Sequence, residues 1–324
     1  MPGPYTVGVD VGGTKILGGL IDCSTGEVIS IVKTPSPPTG ADPIMAAVEE
    51  TIAKALAGAP GDVAKQVRGI GLGVAGQVDA AAGILRAAPN LGGGIANVDM
   101  AAPISARFGV PVTLGNDVEV GAIGERDFGA GKGIRLFACV FIGTGIGGAL
   151  MQDGVHYRGA SGSAGEIGHT MVRAGGRLCA CGQRGHLEAY ASRTAIVAMM
   201  REAVEEGEKS SLSGLLLDTT QRVKSKPLSE AVDQGDALAV NTITQAGLHL
   251  GLGLASLINL WNPDRIILGG GVIDRIDLLF QVASEQAKSA ALAVPAAGVT
   301  IVRAALGDNS GMVGAAILAN TARS

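Results

Sequence analysis

Short runs of apolar residues alternate along the chain with longer stretches of helical periodicity. The apolar runs predict strands, because each is strand-length and ends at a glycine, proline or polar turn. The predicted strands are 6–10, 16–21, 28–32, 69–74, 112–114, 136–142, 146–151, 265–268 and 299–302. The predicted helices are 42–57 with Asp42 as its cap, 118–128, 191–206, 236–261, 277–289 and 309–320. This alternation predicts an α/β architecture.

One arrangement of strands and turns occurs twice. A strand, a glycine turn and a second strand are expected around residues 10–15 and again around residues 141–148. The chain has 324 residues, which is long for one hydrophobic core. The repetition therefore predicts two related domains that face each other.

Composition narrows the class of protein without identifying a function. Hydrophobic residues make up 47% of the chain, aromatic residues 3%, and the formal net charge is −4. The acidic balance and the scarcity of aromatic rings argue against a nucleic-acid surface. The N-terminus lacks a basic secretory segment, and the longest apolar stretch, 248–261, is short for a membrane span. We therefore expect a cytoplasmic protein with reduced thiols and no membrane partner.

The first glycine turn carries side chains that suit a phosphate group. Asp10 is followed by Gly12, Gly13, Thr14 and Lys15. Glycines let backbone N–H groups approach a phosphate, Thr14 and Lys15 add donors, and Asp10 can hold Mg²⁺ directly or through water. A plain glycine hairpin explains this turn equally well when it is considered alone.

The second glycine turn, with Thr144 between Gly143 and Gly145, repeats the device in the other half of the chain. One such turn in each half makes a clamp on the phosphates of a nucleotide more credible than either turn alone. Phosphate binding is therefore the preferred interpretation of the pair.

Asn116 and Asp117 follow a predicted strand and directly precede a helix. Ligands of open α/β sheets bind at such strand ends. A carboxylate there can accept a proton from an attacking hydroxyl, while Asn116 orients the substrate. The competing interpretation is that Asp117 only caps the helix, and for this segment alone the cap is the simpler explanation.

A compact set of metal-binding side chains lies between residues 165 and 188. His169, Cys179, Cys181 and His186 are soft and borderline ligands that suit tetrahedral zinc. An unmetallated loop is the alternative. Two carboxylates, Glu166 and Glu188, lie in the same segment. A metal-fixed loop that also carries free carboxylates points to an enzyme or a sensor for a small hydroxyl-rich molecule.

Taken together, these segments resemble the ROK family of sugar kinases and repressors, and within it the glucokinases. The resemblance runs from about residue 7 to residue 319 and is carried by the segments 10–15, 115–117, 141–148, 165–169, 179–188 and 262–271. It implies an actin-like ATPase (ribonuclease H-like) fold with two domains around a cleft. It also implies transfer of the γ-phosphate of ATP, with Mg²⁺, to a hexose hydroxyl, usually the 6-hydroxyl.

The resemblance also implies roles for single residues. Asp117 would be the general base. The sugar would be bound by Gly76 through its backbone, together with Asn116, Asp117, Glu166, His169 and Glu188. Phosphates would lie at Asp10, Gly12, Gly13, Thr14, Lys15, Thr144 and Gly145, and the adenosine would lie beside Gly269, Gly270 and Gly271.

One position departs from the family pattern. The zinc motif of the family ends in a third cysteine, and here that position is His186. Two cysteines and two histidines still form a legitimate tetrahedral zinc site. We therefore expect structural zinc to be retained, with the second nitrogen of His169 facing the sugar.

Several alternatives stay open at this point. The motifs do not distinguish glucose from N-acetylmannosamine, N-acetylglucosamine or fructose, and polyphosphate is a less favoured donor than ATP. A sugar-sensing repressor is the alternative from another class, although Asp10 lies too early for a preceding DNA-binding domain. The expected domains are 1–120 with 309–324, and 121–308 with the zinc motif and the adenosine site. The resemblance suggests a homodimer or homotetramer.

Overall fold

The computed structural model describes residues 5–89 and 91–322. The described chain divides into two compact units. The first unit is Met1–Gly133 together with Ala304–Ser324, and the second is Ile134–Arg303. The predicted domain ends at 1–4 and 323–324 lie outside the described residues.

The first unit is built on a five-stranded sheet with the order β3-β2-β1-β4-β8. Its strands are β1 (Tyr5–Val11), β2 (Lys15–Asp22), β3 (Glu27–Pro35), β4 (Ile70–Val74) and β8 (Val112–Asn116). The first three strands are antiparallel, whereas β4 and β8 run parallel to β1. The carboxyl ends of β1, β4 and β8 therefore lie side by side.

The second unit repeats this sheet, with the order β11-β10-β9-β12-β13. Its strands are β9 (Leu136–Ile142), β10 (Ile146–Gln152), β11 (Val155–His156), β12 (Arg265–Gly269) and β13 (Thr300–Arg303). β9, β10 and β11 are antiparallel, and β12 and β13 run parallel to β9. The repetition predicted from the sequence therefore extends to the whole topology of the two sheets.

A small antiparallel sheet in the first unit was missed by the sequence analysis. It contains β5 (Gln77–Asp79), β6 (Ile84–Ala88) and β7 (Ile95–Asp99). These strands are short and most of their side chains are not buried, so they lack the apolar runs that identified the other strands.

Eleven α-helices lie among the described residues. In the first unit they are α1 (Ala41–Ala57), α2 (Ala101–Phe108), α3 (Asp117–Phe128) and α11 (Ser310–Thr321). In the second they are α4 (Glu188–Ala191), α5 (Arg193–Glu205), α6 (Ser213–Leu217), α7 (Ser225–Asp233), α8 (Ala237–Trp261), α9 (Asp277–Ala290) and α10 (Ala293–Gly298). The longer helices were predicted, and the short ones were not.

The observed starts of two helices, α1 and α5, differ from the predicted ones. α1 is preceded by Gly40 and has no side-chain cap, so Asp42 lies inside its first turn. The helix predicted over 191–206 corresponds to α5 and begins at Arg193, because the Ser192 hydroxyl accepts a hydrogen bond from the N–H of Ala195 at 3.1 Å. Ala191 is the last residue of the short α4.

α8 also corrects the expectation about membrane-spanning length. By length and composition alone, this helix of 25 residues could cross a membrane. Half of the most apolar 18-residue stretch of α8 is buried in the structure. The buried leucine and isoleucine side chains of α8 belong to the core of the second unit. The same composition is typical of a core helix, which is how α8 packs here.

Glycines allow the closing helix α11 to pack tightly in the first unit. A Cβ atom on Gly8 would lie 1.9 Å from the carbonyl oxygen of Met312, and one on Gly71 would lie 1.8 Å from that of Ala315. On the helix itself, a Cβ at Gly314 would lie 1.6 Å from the carbonyl oxygen of Val120 in α3. The sheet, α3 and α11 thus meet at backbone distance.

This packing explains where the first unit ends. Because α3 packs against α11, the first unit continues past the predicted boundary at residue 120 to Gly133. The chain also returns to it at Ala304, before the predicted residue 309. The sequence analysis had placed the boundary just after Asp117, within α3.

Candidate active-site residues of the two units

In the first unit, the turn between β1 and β2 brings backbone and charge together. The N–H of Gly12 donates to the carbonyl of Lys15 at 3.0 Å, which closes the turn. The Lys15 ammonium lies 2.6 Å from a carboxylate oxygen of Asp308. All five predicted phosphate residues of this unit, Asp10, Gly12, Gly13, Thr14 and Lys15, therefore lie at one end of β1 and β2.

Asp10 has the most strongly perturbed acidity of this group. Burial, with the neighbouring Asp117 carboxylate, raises the pKa of Asp10 to about 7, although Lys15 opposes the shift. A Cβ on Gly311 of α11 would lie 2.9 Å from the Asp10 carboxyl carbon, so the glycine makes room for this acid. A half-buried acid beside a second acid and a lysine is an arrangement that suits Mg²⁺ and phosphate.

The structure separates the roles of Asn116 and Asp117. The Asn116 side-chain oxygen accepts hydrogen bonds from the N–H groups of Val118 at 2.9 Å and Glu119 at 3.3 Å. Asn116 is therefore the cap, and Asp117 is the first residue of α3. The interpretation of Asp117 as a helix cap is wrong, because Asn116 already accepts the hydrogen bonds from the first N–H groups of α3.

Asn116 also ties the site to Gly76. Its amide nitrogen donates to the carbonyl oxygen of Gly76 at 3.0 Å. A Cβ on Gly76 would lie 2.4 Å from the carbonyl oxygen of Ala87, so a larger residue would displace β6. The three residues Gly76, Asn116 and Asp117 are thus brought together at the carboxyl ends of β4 and β8.

In the second unit, the turn between β9 and β10 is supported by Glu188. The N–H of Gly143 donates to the carbonyl of Gly145 at 2.9 Å. The Glu188 carboxylate accepts the N–H of Ile146 at 2.8 Å, and a Cβ on Gly145 would lie 2.3 Å from the same oxygen. Glu188, predicted as a sugar ligand, therefore also fixes the turn predicted to hold phosphate.

The predicted adenosine loop lies beside that turn. β12 pairs with β9 so that Gly269 is opposite Phe141. Gly270 has a φ of +88°, and a Cβ there would lie 2.5 Å from the carbonyl oxygen of Ile142. Only glycine accommodates both conditions. Gly269, Gly270 and Gly271 thus follow β12 at the end where Gly143 to Gly145 follow β9.

The four predicted zinc ligands converge in the second unit. One ligand atom from each of His169, Cys179, Cys181 and His186 lies within 4.8 Å of the others. The Cys179 sulfur is 3.8 Å from Nδ1 of His169, and the Cys181 sulfur is 3.2 Å from Nδ1 of His186. Ligands of tetrahedral zinc lie roughly 3.3–3.8 Å apart, given the usual Zn–S and Zn–N lengths. The donor set therefore suits zinc in its chemistry, and the two sulfur–nitrogen distances lie close to this spacing.

Hydrogen bonds shape the loop around these ligands. The N–H of Cys179 donates to the carbonyl of Gln183 at 2.8 Å, and Met171 forms a β-bridge with His186. The N–H of Arg177 donates to the Tyr190 hydroxyl at 2.6 Å. Hydrogen bonds of the loop therefore position the four predicted ligands, and a bound metal would cross-link a loop that already has its conformation.

Glu166 and Glu188 lie on either side of this cluster. Glu166 precedes the short 3₁₀ turn Ile167–His169, and its carbonyl accepts the N–H of His169 at 3.0 Å. A Glu188 oxygen lies 3.9 Å from the Cys179 sulfur. His169 uses Nδ1 towards Cys179, which leaves Nε2 for another partner. The backbone of Glu166 and the carboxylate of Glu188 thus lie next to the predicted metal ligands.

The sequence analysis missed three charged residues near these groups. Asp308 pairs with Lys15, and Arg193 donates from its guanidinium to the Thr144 hydroxyl at 2.8 Å. Glu125 is fully buried and accepts from the N–H groups of Ala305 and Leu306 and from the Ser310 hydroxyl. Each lies far along the chain from its partners, so local spacing carried no signal for it.

Comparisons with known proteins agree with this arrangement. A glucokinase from Streptomyces coelicolor is 35% identical over 319 residues, covering 97% of each chain. The crystal structure of a ROK family glucokinase from Streptomyces griseus, in complex with glucose and AMPPNP, matches with a TM-score of 0.85 and 34% identity, covering 98% of this chain and 99% of that one. A putative xylose repressor from Caldicellulosiruptor is 34% identical over 205 residues, which is 63% of this chain and 50% of the repressor.

The duplicated mixed sheets and these matches establish the predicted actin-like ATPase fold. The family match spans residues 6–322. The chain belongs to the ROK family.

Proposed function

We propose that this protein is an ATP-dependent hexose kinase that phosphorylates glucose at its 6-hydroxyl. The observation that carries the proposal is Asp117, an acid at the end of β8 that is relieved of helix capping by Asn116 and lies close enough to Asp10 to raise its pKa. Near full-length similarity to glucokinases supports glucose as the acceptor.

In the proposed reaction, Asp117 accepts the proton of the sugar hydroxyl as that oxygen attacks the γ-phosphorus of ATP. The bond from phosphorus to the bridging oxygen breaks, and ADP leaves. Asp10 would hold Mg²⁺, which would neutralise charge on the phosphates together with Lys15. Phosphoryl transfer depends mainly on such positioning and charge stabilisation.

Sugar recognition is assigned to the polar groups that the resemblance to the family implies. The hydroxyls are assigned to the side chains of Asn116, Glu166, His169 and Glu188 and to the backbone of Gly76. A sugar site needs several fixed partners, because each unpaired buried polar group lowers affinity.

Structural zinc is proposed at His169, Cys179, Cys181 and His186. When bound, the metal would hold Nδ1 of His169 and fix its tautomer, which leaves Nε2 to donate a hydrogen bond to the sugar. The four-ligand set leaves no open coordination position, so the metal is assigned a structural role.

The remaining assignments follow from the proposed reaction. ATP with Mg²⁺ is the donor, because two glycine turns and the Gly269 to Gly271 loop suit a nucleotide better than polyphosphate. The enzyme would work in carbohydrate metabolism, in glycolysis, in the cytoplasm, as a homodimer or homotetramer. Light scattering of the purified chain would determine the assembly.

Release of ADP from ATP and Mg²⁺ with a panel of sugars tests the proposal. The panel contains glucose, mannose, fructose, N-acetylglucosamine and N-acetylmannosamine, and the protein is first saturated with zinc. We expect a strong preference for glucose. A preference for an N-acetylated sugar or for fructose would keep the mechanism and change the substrate. No release with any sugar would favour a non-catalytic sugar sensor, as in the repressors of the family.

A further inference from the structure

The start of α5 supports the glycine turn of the second unit. The N–H of Arg193 donates to the carbonyl of Gly143 at 3.0 Å, and the Thr194 hydroxyl donates to the carbonyl of Thr144 at 2.8 Å. The Arg193 guanidinium reaches the same turn, where it donates to the Thr144 hydroxyl at 2.8 Å. This cation is therefore held beside the turn to which phosphate binding is assigned.

The charge of Arg193 is not balanced by a neighbouring acid. Within residues 5–89 and 91–322, its guanidinium donates to a neutral hydroxyl and forms no ion pair with a carboxylate. Its side chain is half-buried, and burial and the positive charge of Arg222 lower the pKa of Arg193. A partly desolvated guanidinium beside another positive charge is unfavourable unless an anion neutralises it.

The surroundings of Arg193 indicate which anion this is. The turn from Gly143 to Gly145 lies beside the loop of Gly270 and Gly271, since the N–H of Val272 donates to the carbonyl of Ile142 at 3.3 Å. Neither segment carries an acidic side chain of its own, and the Glu188 carboxylate beside the turn already accepts the N–H of Ile146 at 2.8 Å. An arginine without an ion-pair partner beside two glycine-rich segments suits a phosphate group.

We propose that Arg193 binds the phosphate chain of the nucleotide. The inference rests on the proposed kinase function, in which ATP is the polyanion that enters the site. The planar fork of a guanidinium can bind two phosphate oxygens at once, and lysine cannot reproduce this geometry. The Thr144 hydroxyl holds the fork in position.

Titration calorimetry of Arg193→Gln and Arg193→Lys with three ligands tests the inference. The ligands are AMPPNP, ADP and adenosine. Removing a charged hydrogen-bond donor should weaken AMPPNP binding by about 10- to 100-fold in Arg193→Gln, with a smaller loss in Arg193→Lys. Adenosine carries no phosphate, so its affinity should change less than twofold.

The matched control is Arg201→Gln, on the same helix. The Arg201 guanidinium donates to the carbonyl of Leu216 at 2.6 Å, so its loss should leave all three affinities unchanged. An equal loss of affinity for adenosine and for AMPPNP in Arg193→Gln would show that Arg193 only stabilises the conformation of the turn. That result would overturn the inference. Unchanged AMPPNP binding would overturn it as well. Failure of the unaltered protein to bind AMPPNP would instead refute the kinase function itself, and the inference with it.

Discussion

Each unit contains a five-stranded sheet of the same topology, but the side chains at the strand ends differ between the two sheets. β1 and β2 in the first unit and β9 and β10 in the second form the same antiparallel pair, and each pair is followed by two parallel strands. The turn after β1 carries Asp10 and Lys15, whereas the turn after β9 carries no charge of its own. Its charged neighbours, Glu188 and Arg193, come from the zinc segment and from α5.

The strand ends show the same difference. β8 ends at Asn116, which is followed by the acid Asp117. The strand in the equivalent place, β13, ends at Arg303 and is followed by two alanines. One copy of the duplicated sheet thus presents acids where the other presents none. The fold supplies two equivalent sets of strand ends, and the side chains placed there decide the chemistry.

The largest expected effect is on Asp117, the acid that the second unit lacks. Asp117→Asn should lower turnover by about 10²- to 10⁴-fold, the usual contribution of a general base. Glucose affinity should change little, since the amide keeps the size and one acceptor. Steady-state rates and calorimetry with glucose measure both. The control is Asp153→Asn, at an exposed turn of the second unit with a positive φ that asparagine tolerates. Normal turnover in Asp117→Asn would remove the proposed base.

Metal removal tests the second unit. Purified protein should contain one zinc per chain, and chelation should lower the thermal unfolding midpoint by several degrees and raise the KM for glucose, with recovery on adding zinc. Cys181→Ser should lose the metal, whereas Cys23→Ser, outside the cluster, should keep it. A zinc content well below one per chain in unaltered protein would refute the site.

Two glutamates on helices of the two units give a comparison of stability. The buried Glu125 carboxylate holds three backbone N–H groups and the Ser310 hydroxyl, so Glu125→Ala should cost about 3 kcal/mol or more, because those donors lose their partner. Glu202 is half-exposed and paired with Arg177, so Glu202→Ala should lower the free energy of unfolding by only about 0–1 kcal/mol. Urea unfolding measures both, and equal costs would contradict the reasoning.

The last predicted effect concerns the pH dependence caused by Asp10. Its pKa is raised from 3.8 to about 7 by burial and Asp117, so the folded protein binds more protons than the unfolded chain between these values. The free energy of unfolding of the ligand-free protein should therefore fall as pH rises from about 4 to about 7. Asp10→Asn should remove this part of the dependence and be more stable than the unaltered protein at pH 8. Urea unfolding at pH 5.5 and pH 8 tests it. A less stable variant at pH 8 would be the contrary result.

Sequence reasoning found the features that depend on neighbouring residues. The strand and turn pattern at 6–21, the cluster of cysteines and histidines between 169 and 186, and the acid Asp117 all have local signals. It did not find Arg193, Asp308 or Glu125, because most of their partners are distant in the chain and are brought close only by the fold. It also assigned the capping of α3 to Asp117 as an alternative, since neighbouring Asn and Asp are equally good caps on propensity and only the geometry separates them.

The most direct test of the account is the product formed from glucose by the unaltered, zinc-loaded protein. With ATP and Mg²⁺, phosphorus NMR should show one sugar phosphate, at the 6-position, appearing in step with an equal amount of ADP. ADP that forms without sugar phosphate, or no reaction over hours at saturating substrates, would contradict the proposal that the acids of the first unit direct phosphate transfer to the sugar.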